Sequence, residues 1–338
     1  MEETSRRAAG LIFRSSLSPP CSAVVSSNPA PRPDNSVRFR SPGLGCRVLG
    51  CVLPFLLVLV GKADQLAALT PVADTSLLES NPDNNLGGLS SIPAGTTQQG
   101  RSRALFRFDL TTIPAGAMVT AAELGVVAVN QNSQHQSSIF ALNRLLRNWG
   151  EGSGSTNNFG DPATTNAATW NNRFHPATPW SAPGGGSGLD YAAPASATTF
   201  IDTLTNYTFG STTSMVADVQ SWVGNPDTNF GWILISQSEA TQFTVRRFAS
   251  REDAVRSPVL TVHYVLPPVI SSPLISGKQI RFSFLADSNR TWTVESRTSM
   301  VEGSWEVLTN IPAQPAGATI QVSDLITNMS AFYRVRSP

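Results

Sequence analysis

The stretch "RALFRFDLTTIPAGAMVTAAELGVVAVN", residues 103–130, decides the fold class. Side chains alternate between the two faces of a strand, so Phe106, Phe108 and Leu110 share one face and Leu105, Arg107 and Asp109 the other. The phenylalanines should bury, leaving the two charges on a wet or loop-covered face. "IPAG" (113–116) reads as a turn into the next strand, and the alternation resumes over 118–129. Arg107 and Asp109 could be chemistry or architecture. A carboxylate that cleaves a glycosidic bond needs a second one at a defined distance, and no neighbour supplies it. A structural ion pair or turn anchor is the expectation.

Outward from this stretch the same pattern repeats. Runs at 137–146, 198–209, 231–237, 243–249 and 259–265 alternate apolar and polar residues and are separated by Gly/Pro/Asn/Ser clusters, the pattern of a sandwich or barrel. Residues 150–195 are richer in Gly, Asn, Ser and Pro and read as long loops with short strands, the "GGGSG" of 184–188 among them as a flexible loop. One helix interrupts: in "STTSMVADVQSWV" (211–223), Met215, Val219, Trp222 and Val223 recur at helical spacing, a Ser or Thr is available as N-cap, and "GNPD" stops it. "VLPPVISSPL" (265–274) is a Pro/Ser linker. Five further strand-like runs follow, "QIRFSFLA", "TWTVESR", "SWEVLTN", "ATIQVSDL" and "AFYRVR". The expected fold is all-β: a jelly-roll-type β-sandwich with one short helix at 71–266, a linker at 267–274, and a small second β-sandwich-like module at 275–338.

Composition narrows the class. The 338 residues leave room for about two domains. Only 14% are charged, against about 25% in average soluble domains. A net charge of +1 supplies no basic field for nucleic acid. The basic residues are concentrated early: residues 1–63 hold eight Lys+Arg and three Asp+Glu, residues 64–338 sixteen and twenty. Cys21, Cys46 and Cys51 all lie in the first part, so the body of the chain has no cysteine for a disulfide or metal site. Arg47 precedes the apolar run "VLGCVLPFLLVLVG", and "GKA" (61–63) ends it with small residues, as in a signal peptide cleaved after Ala63. The run is too short for a bilayer-spanning helix, which needs roughly 20 apolar residues. Residues 1–63 are therefore expected to be a disordered leader plus signal peptide, leaving a secreted, extracellular or cell-surface chain with no stable membrane span.

Motifs for catalysis are missing from the sequence. His135, His175 and His263 form no metal-binding spacing, and no nucleophile elbow, Walker loop or dinucleotide fingerprint is present. An enzyme, a polysaccharide lyase or hydrolase using Arg173, His175 and Tyr191, is the minor alternative. No cofactor is expected, apart from a structural calcium for which Asp83, Asn84, Asn85 and Asp227 are candidate ligands; the same Asn/Asp clusters also suit plain turns. Trp222 and Trp232 fall in helix and strand patterns and read as core. Trp149 and Trp170 sit where strands pass into loops and Trp180 in a loop, so each is open to core packing or to stacking on a sugar ring. Arg173 is placed to pair with the carboxylate of an acidic sugar. Arg246 and Arg247 should point to opposite faces.

In order, "ALFRFDLTTIPAGAMVTAAELGV", "LLRNWGEG", "AATW", "MVADVQSWVGNPDTNFGWILI" and "FASREDAVRSPVLTVHYV" resemble the DNRLRE-type domain of secreted bacterial proteins, itself similar to carbohydrate-binding module family 96. The matching positions are Phe106–Leu110, Pro114, Gly116, Ala122, Leu124, Trp149, Glu151, Thr169, Trp170, Val219, Trp222, Asn229, Gly231, Ser250–Glu252, Pro258, Leu260 and Tyr264. The resemblance spans about residues 71–266, while the literal string Asp-Asn-Arg-Leu-Arg-Glu is absent. It implies an extracellular jelly-roll β-sandwich, carried beside polysaccharide-degrading domains, with acidic glycans bound in some members. The C-terminal part is similar to a small β-module that recurs at the ends of secreted bacterial proteins. The expected function is a secreted, non-catalytic module that binds or positions extracellular polysaccharide or a cell-surface glycan, through Trp149, Trp170, Arg173 and Trp180. A structural cell-surface or matrix display protein is the alternative.

Overall fold

The computed structural model describes residues 64–299, 303–327 and 330–336, together with the backbone of Gly10–Arg14. The apolar run and cleavage site of the expected signal peptide lie outside the described residues. Among the described residues the chain is all-β with one α-helix, as the alternation requires, and forms two compact units that divide between Val269 and Ile270.

In chain order, the strands of four or more residues in the first unit are β1 (Gln65–Leu69), β2 (Pro71–Leu78), β3 (Ser91–Thr96), β4 (Arg101–Phe108), β5 (Met118–Gln131), β6 (Ser138–Arg144), β7 (Ala197–Ile201) and β8 (Asn206–Phe209). Helix α1 (Thr213–Gly224) follows, then β9 (Trp232–Ser236), β10 (Arg246–Ala249) and β11 (Val259–Val265). One layer runs β7–β6–β9–β4–β2, entirely antiparallel. The other is organised on the long β5, which pairs with β8, β11 and β10; β1 continues beyond β11 and β3 beyond β10. The two layers are a β-sandwich of jelly-roll type.

Three strands, β1 to β3, were not legible as alternating runs. The expected single strand at 198–209 is two, because the chain turns at 202–205 and crosses from one layer to the other.

The core lies between the layers. Phe106 and Phe108 of β4, Phe140 and Leu142 of β6, and Trp232 and Leu234 of β9 meet Leu124 and Val126 of β5, Phe248 of β10 and Leu260 and Val262 of β11. Helix α1 closes one end. The Thr212 hydroxyl caps it by accepting the N–H of Met215 at 3.0 Å, and Met215, Val219, Trp222 and Val223 sink into the core. Trp222 meets Trp232 edge-on, centroids 4.5 Å apart, and the Trp232 indole N–H donates to Asp218 at 2.9 Å. Both indoles are core residues, as their periodicity indicated.

The β2–β4–β9 face turned away from this core is apolar as well, with Ala73, Leu77, Leu105, Ile233 and Ile235. Residues from the long 145–195 segment, among them Leu145, Trp149, Ala168, Trp170 and Trp180, pack against it as a second core. A layer with apolar residues on both faces must be covered twice, and here irregular loop provides the second cover.

The second unit contains β12 (Ser271–Ser276), β13 (Gln279–Ala286), β14 (Trp292–Arg297), β15 (Glu306–Ile311), β16 (Ala318–Leu325) and β17 (Ser330–Arg336). Sheet β12–β13–β16 and sheet β15–β14–β17 enclose Ile280, Phe282, Phe284, Trp292, Val294, Tyr333 and Val335. This is the expected small sandwich-like module, with two differences. Residues 271–274 of the expected linker belong to its first strand. The backbone of Gly10–Arg14, inside the expected disordered leader, runs antiparallel to β17 with Gly10 opposite Arg334. No helix among the described residues is long and apolar enough to cross a membrane.

Candidate functional site

The expected glycan platform is not at the surface. Trp149, Trp170 and Trp180 are only 1%, 4% and 4% exposed. The indole N–H of Trp149 donates to the Phe230 carbonyl at 2.9 Å and that of Trp180 to the Thr169 carbonyl at 2.9 Å. Their rings cover the second face of the sheet, so none offers a free face to a sugar. The "GGGSG" loop is part of the same packing: a side-chain carbon at Gly184 would lie 2.7 Å from the Trp170 ring, and the carbonyls of Gly184 and Gly185 accept from Arg103.

What these aromatics carry on their outer side is arginine. Arg101 and Arg103 lie over Trp170 at 5.2 and 5.6 Å, Arg107 over Trp149 at 5.1 Å, and Arg173 over Phe174 at 5.4 Å, within cation–π range. The first two are neutralised locally, Arg101 by Glu79 at 2.6 Å and Arg103 by Glu239 at 2.7 Å. Arg107 and Arg173 have no carboxylate within salt-bridge distance among the described residues. Both converge on Asn148: Arg107 Nη1 donates to its Oδ1 at 2.9 Å and Arg173 Nη1 to its backbone carbonyl at 3.2 Å. Arg147, the preceding residue, is exposed. Burial pushes the pKa of Arg107 down, from a starting value so high that it stays charged at neutral pH.

The alternation that put Arg107 opposite the buried phenylalanines holds. Asp109 does not pair with it; its Oδ1 accepts the Thr111 N–H at 2.9 Å, which makes it a turn anchor. Beside Arg107 opens a depression of about 290 Å³, lined among others by Val72, Asp109, Thr111, Trp222 and Asn229. This is at the small end of ligand pockets, the scale of one ring rather than an extended chain.

Next to this surface lies a buried charge cluster joining distant parts of the chain. Asp74, on β2, is fully buried. Its Oδ2 accepts the Arg251 N–H at 2.7 Å, its own N–H donates to Glu151 Oε1 at 2.8 Å, and its Oδ1 has no hydrogen-bond partner. Arg251 Nε reaches Glu151 at 2.6 Å and Glu252 at 2.9 Å. Two carboxylates thus share one guanidinium, and a third carboxyl accepts the backbone N–H of the same residue. Burial, aided by the neighbouring Glu252 and Glu151 charges and opposed by Arg251, pushes the Asp74 pKa up to about 8.

The calcium candidates are divided between two places. Asp83, Asn84 and Asn85 share one loop, and Asp227 lies in a separate exposed 3₁₀ turn, Pro226–Thr228. Asn85 is engaged as an organiser of turns. Its Oδ1 accepts the N–H groups of Gly87 and Gly154 at 2.9 and 3.2 Å, and its Nδ2 donates to Thr75, Glu151 and Ala168. Asp83 accepts from the Asn171 amide at 3.1 Å, and the Asn84 amide donates to the carbonyls of Phe159 and Gly160. No group of three or more His, Cys, Asp or Glu side chains forms a metal-binding arrangement among the described residues. Of the residues in the minor enzyme alternative, Tyr191 lies beside Arg103, whereas Arg173 lies beside Asn148; no hydrogen bond joins the two.

Sequence reasoning placed Arg107 in the framework and did not single out Asn148 or Asp74; Glu151, Arg251 and Glu252 entered as positions of the family resemblance. One signal was available. The run "WILI" in β9 is apolar without alternation, the mark of a strand covered on both sides, and tryptophans in nearby loops are the natural cover. In class, then, the chain is an all-β sandwich protein with an arginine-bearing loop surface over a second hydrophobic layer. Compared with known proteins, it matches no family model and no curated protein.

Proposed function

We propose that the chain is a secreted, non-catalytic module of the DNRLRE type that binds or positions extracellular polysaccharide bearing carboxylate groups. The observation that carries this reading is the convergence of Arg107 and Arg173 on Asn148 with no carboxylate of the described residues within salt-bridge distance. Each guanidinium rests on an aromatic ring that holds it in place, and planar guanidinium groups suit carboxylates bidentately. The depression beside Arg107 gives one sugar ring room, with Asp109, Thr111 and Asn229 as partners for hydroxyls. The tryptophans act as supports for arginine rather than as stacking platforms.

The test is retention on immobilised polyuronate by the purified chain and by an Arg107→Gln/Arg173→Gln variant. The wild type is retained and released by salt, and the variant loses affinity by at least about tenfold, since hydrogen bonds to charged groups contribute about 1.5–3 kcal/mol each. Equal retention of both proteins, with unchanged thermal melts, overturns the assignment to these arginines. The second reading, a structural surface or matrix protein, draws on Ile139 and Phe200. They face each other across β6 and β7 and are 49% and 60% exposed, an apolar pair suited to protein contact. Protein crosslinks on intact cells, without glycan retention, favour that alternative.

A further inference from the structure

The second unit carries an arginine surface of its own. In sheet β15–β14–β17, Trp292 and Val294 of β14 and Tyr333 and Val335 of β17 face the core, so Thr293, Glu295, Arg297, Phe332, Arg334 and Arg336 face outward by alternation. The register sets Glu295 directly opposite Arg334 and Thr293 opposite Arg336. Glu295 is nevertheless only 3% exposed, because arginines cover it. Its Oε2 accepts from Arg334 Nε at 2.5 Å and its Oε1 from Arg336 Nη2 at 2.9 Å. One carboxylate therefore faces two guanidiniums. Arg334 also lies 4.4 Å from the Trp305 ring centroid, with Arg297 at 5.3 Å from the same ring.

Arg334 is thus fixed through Nε by Glu295 and across its plane by Trp305, while neither of its Nη atoms makes a hydrogen bond among the described residues. Arg246, in the first unit, shows the contrast. That side chain is fully buried, and its Nε, Nη1 and Nη2 all donate to carbonyls, including those of Asp202, Thr244 and Gln136. Arg334 holds its outer pair of N–H groups rigid and open, with excess positive charge beside it.

We infer that Arg334 and Arg336, braced by Glu295 and Trp305, form a second binding site for a carboxylate-bearing glycan, so that each chain can grip one polymer at two places. The choice of ligand class rests on the function proposed above. The charge balance points away from nucleic acid: residues 270–338 hold six Lys+Arg and five Asp+Glu, a net of +1, too little for binding driven by counterion release. A rigid fork recognises a single planar anion, as repeated carboxylates along a polyuronate would present. Two sites joined in one chain raise retention on a polymer through effective concentration, without any new contact.

Titration calorimetry of the whole chain with a short polyuronate oligomer tests this, together with retention on the immobilised polymer. The wild type should bind two oligomers. Glu295→Gln/Arg334→Gln/Arg336→Gln, which removes the ion-paired charges together so that none is stranded, should bind one and lose polymer retention by at least about tenfold. Arg336→Gln alone, which leaves Glu295 paired with Arg334, is the folding-safe variant and should weaken the second site. An Arg107→Gln/Arg173→Gln chain should keep one site. If the wild type binds a single oligomer that only Arg107→Gln/Arg173→Gln removes, this inference fails and the proposed function stands. If the single site is lost only on changing Arg334 and Arg336, the first-unit surface fails and this site stands. Binding unchanged in every variant overturns both.

Discussion

Replacing Asp74 with asparagine should stabilise the first unit at neutral pH, and by an amount that grows with pH. The buried Asp74 carboxyl titrates at about 8 in the folded chain and near 3.9 when unfolded. Between those values the folded state holds a proton that the unfolded state has released. Stability therefore falls as pH rises through this window, by up to about 1.36 kcal/mol per unit, and levels off above the folded value. At pH 7 roughly three units of the window have been crossed, a loss of about 4 kcal/mol relative to acid conditions. Asparagine has no proton to release, keeps an oxygen for the Arg251 N–H, and places an amide where Glu151 or Glu252 can accept from it. Asp74→Asn should then gain about 2–4 kcal/mol at pH 7–8 and almost nothing near pH 4. Denaturant unfolding followed by tryptophan fluorescence suits this, since Trp149, Trp222 and Trp232 are buried in the same unit. Groups such as Glu79, whose pKa is lowered by its hydrogen bonds with Arg101, contribute equally to both proteins and cancel in the difference. Parallel stability–pH curves for the two proteins, or a variant less stable at pH 8, would refute the reasoning.

Three further substitutions probe the frame. Asn85→Ala removes both acceptor bonds of Oδ1 and the donor bonds of Nδ2 and should cost about 2–4 kcal/mol in denaturant unfolding. Gly231→Ala places a side-chain carbon 1.8 Å from the Phe106 carbonyl oxygen at φ +77, so soluble, cooperatively melting protein should not be recovered. Thr212→Ala deletes the cap of α1 and should cost about 1 kcal/mol, read as a drop of about 2–4 °C in Tm for a unit of this size.

The strands of the sandwich were legible wherever one face meets the core and the other meets solvent, as along β5 and β11. They were obscure where that condition fails. In β2, "PVADTSLL", polar and apolar residues are buried together, with Asp74, Thr75 and Ser76 all fully buried, so no alternation survives. The same double burial explains the misread tryptophans. Periodicity reports on regular elements, and the 145–195 segment has too few to show that it folds back onto a sheet. The Asp74–Glu151–Arg251 cluster joins residues 177 positions apart, a distance that no local spacing encodes. Arg173 was legible as a basic residue near aromatics, and its partner Arg107 was set aside with the framework because its strand is framework.

The charge arrangement of the first unit separates these two arginines from Arg101, Arg103 and Arg251. Arg101, Arg103 and Arg251 are matched by Glu79, Glu239, and Glu151 with Glu252. Arg246 is enclosed by carbonyls, and Arg247 donates to Ser91. The protein therefore has the means to neutralise guanidinium groups and uses them around Trp170. Around Trp149 and Phe174 no carboxylate of the described residues lies within salt-bridge distance of Arg107 or Arg173, and burial acts against the charge of Arg107, opposed only by the more distant Glu151. A half-buried cation without a counter-ion in contact is unfavourable for the isolated fold, and an incoming carboxylate would relieve that. Supplying the carboxylate from within the chain is accordingly the sharpest probe: Asn148→Asp, which sets a carboxyl where Arg107 already bonds, should stabilise the fold while lowering polyuronate retention by at least about tenfold. A variant that is both more stable and still fully retained would show that these arginines do not serve the ligand.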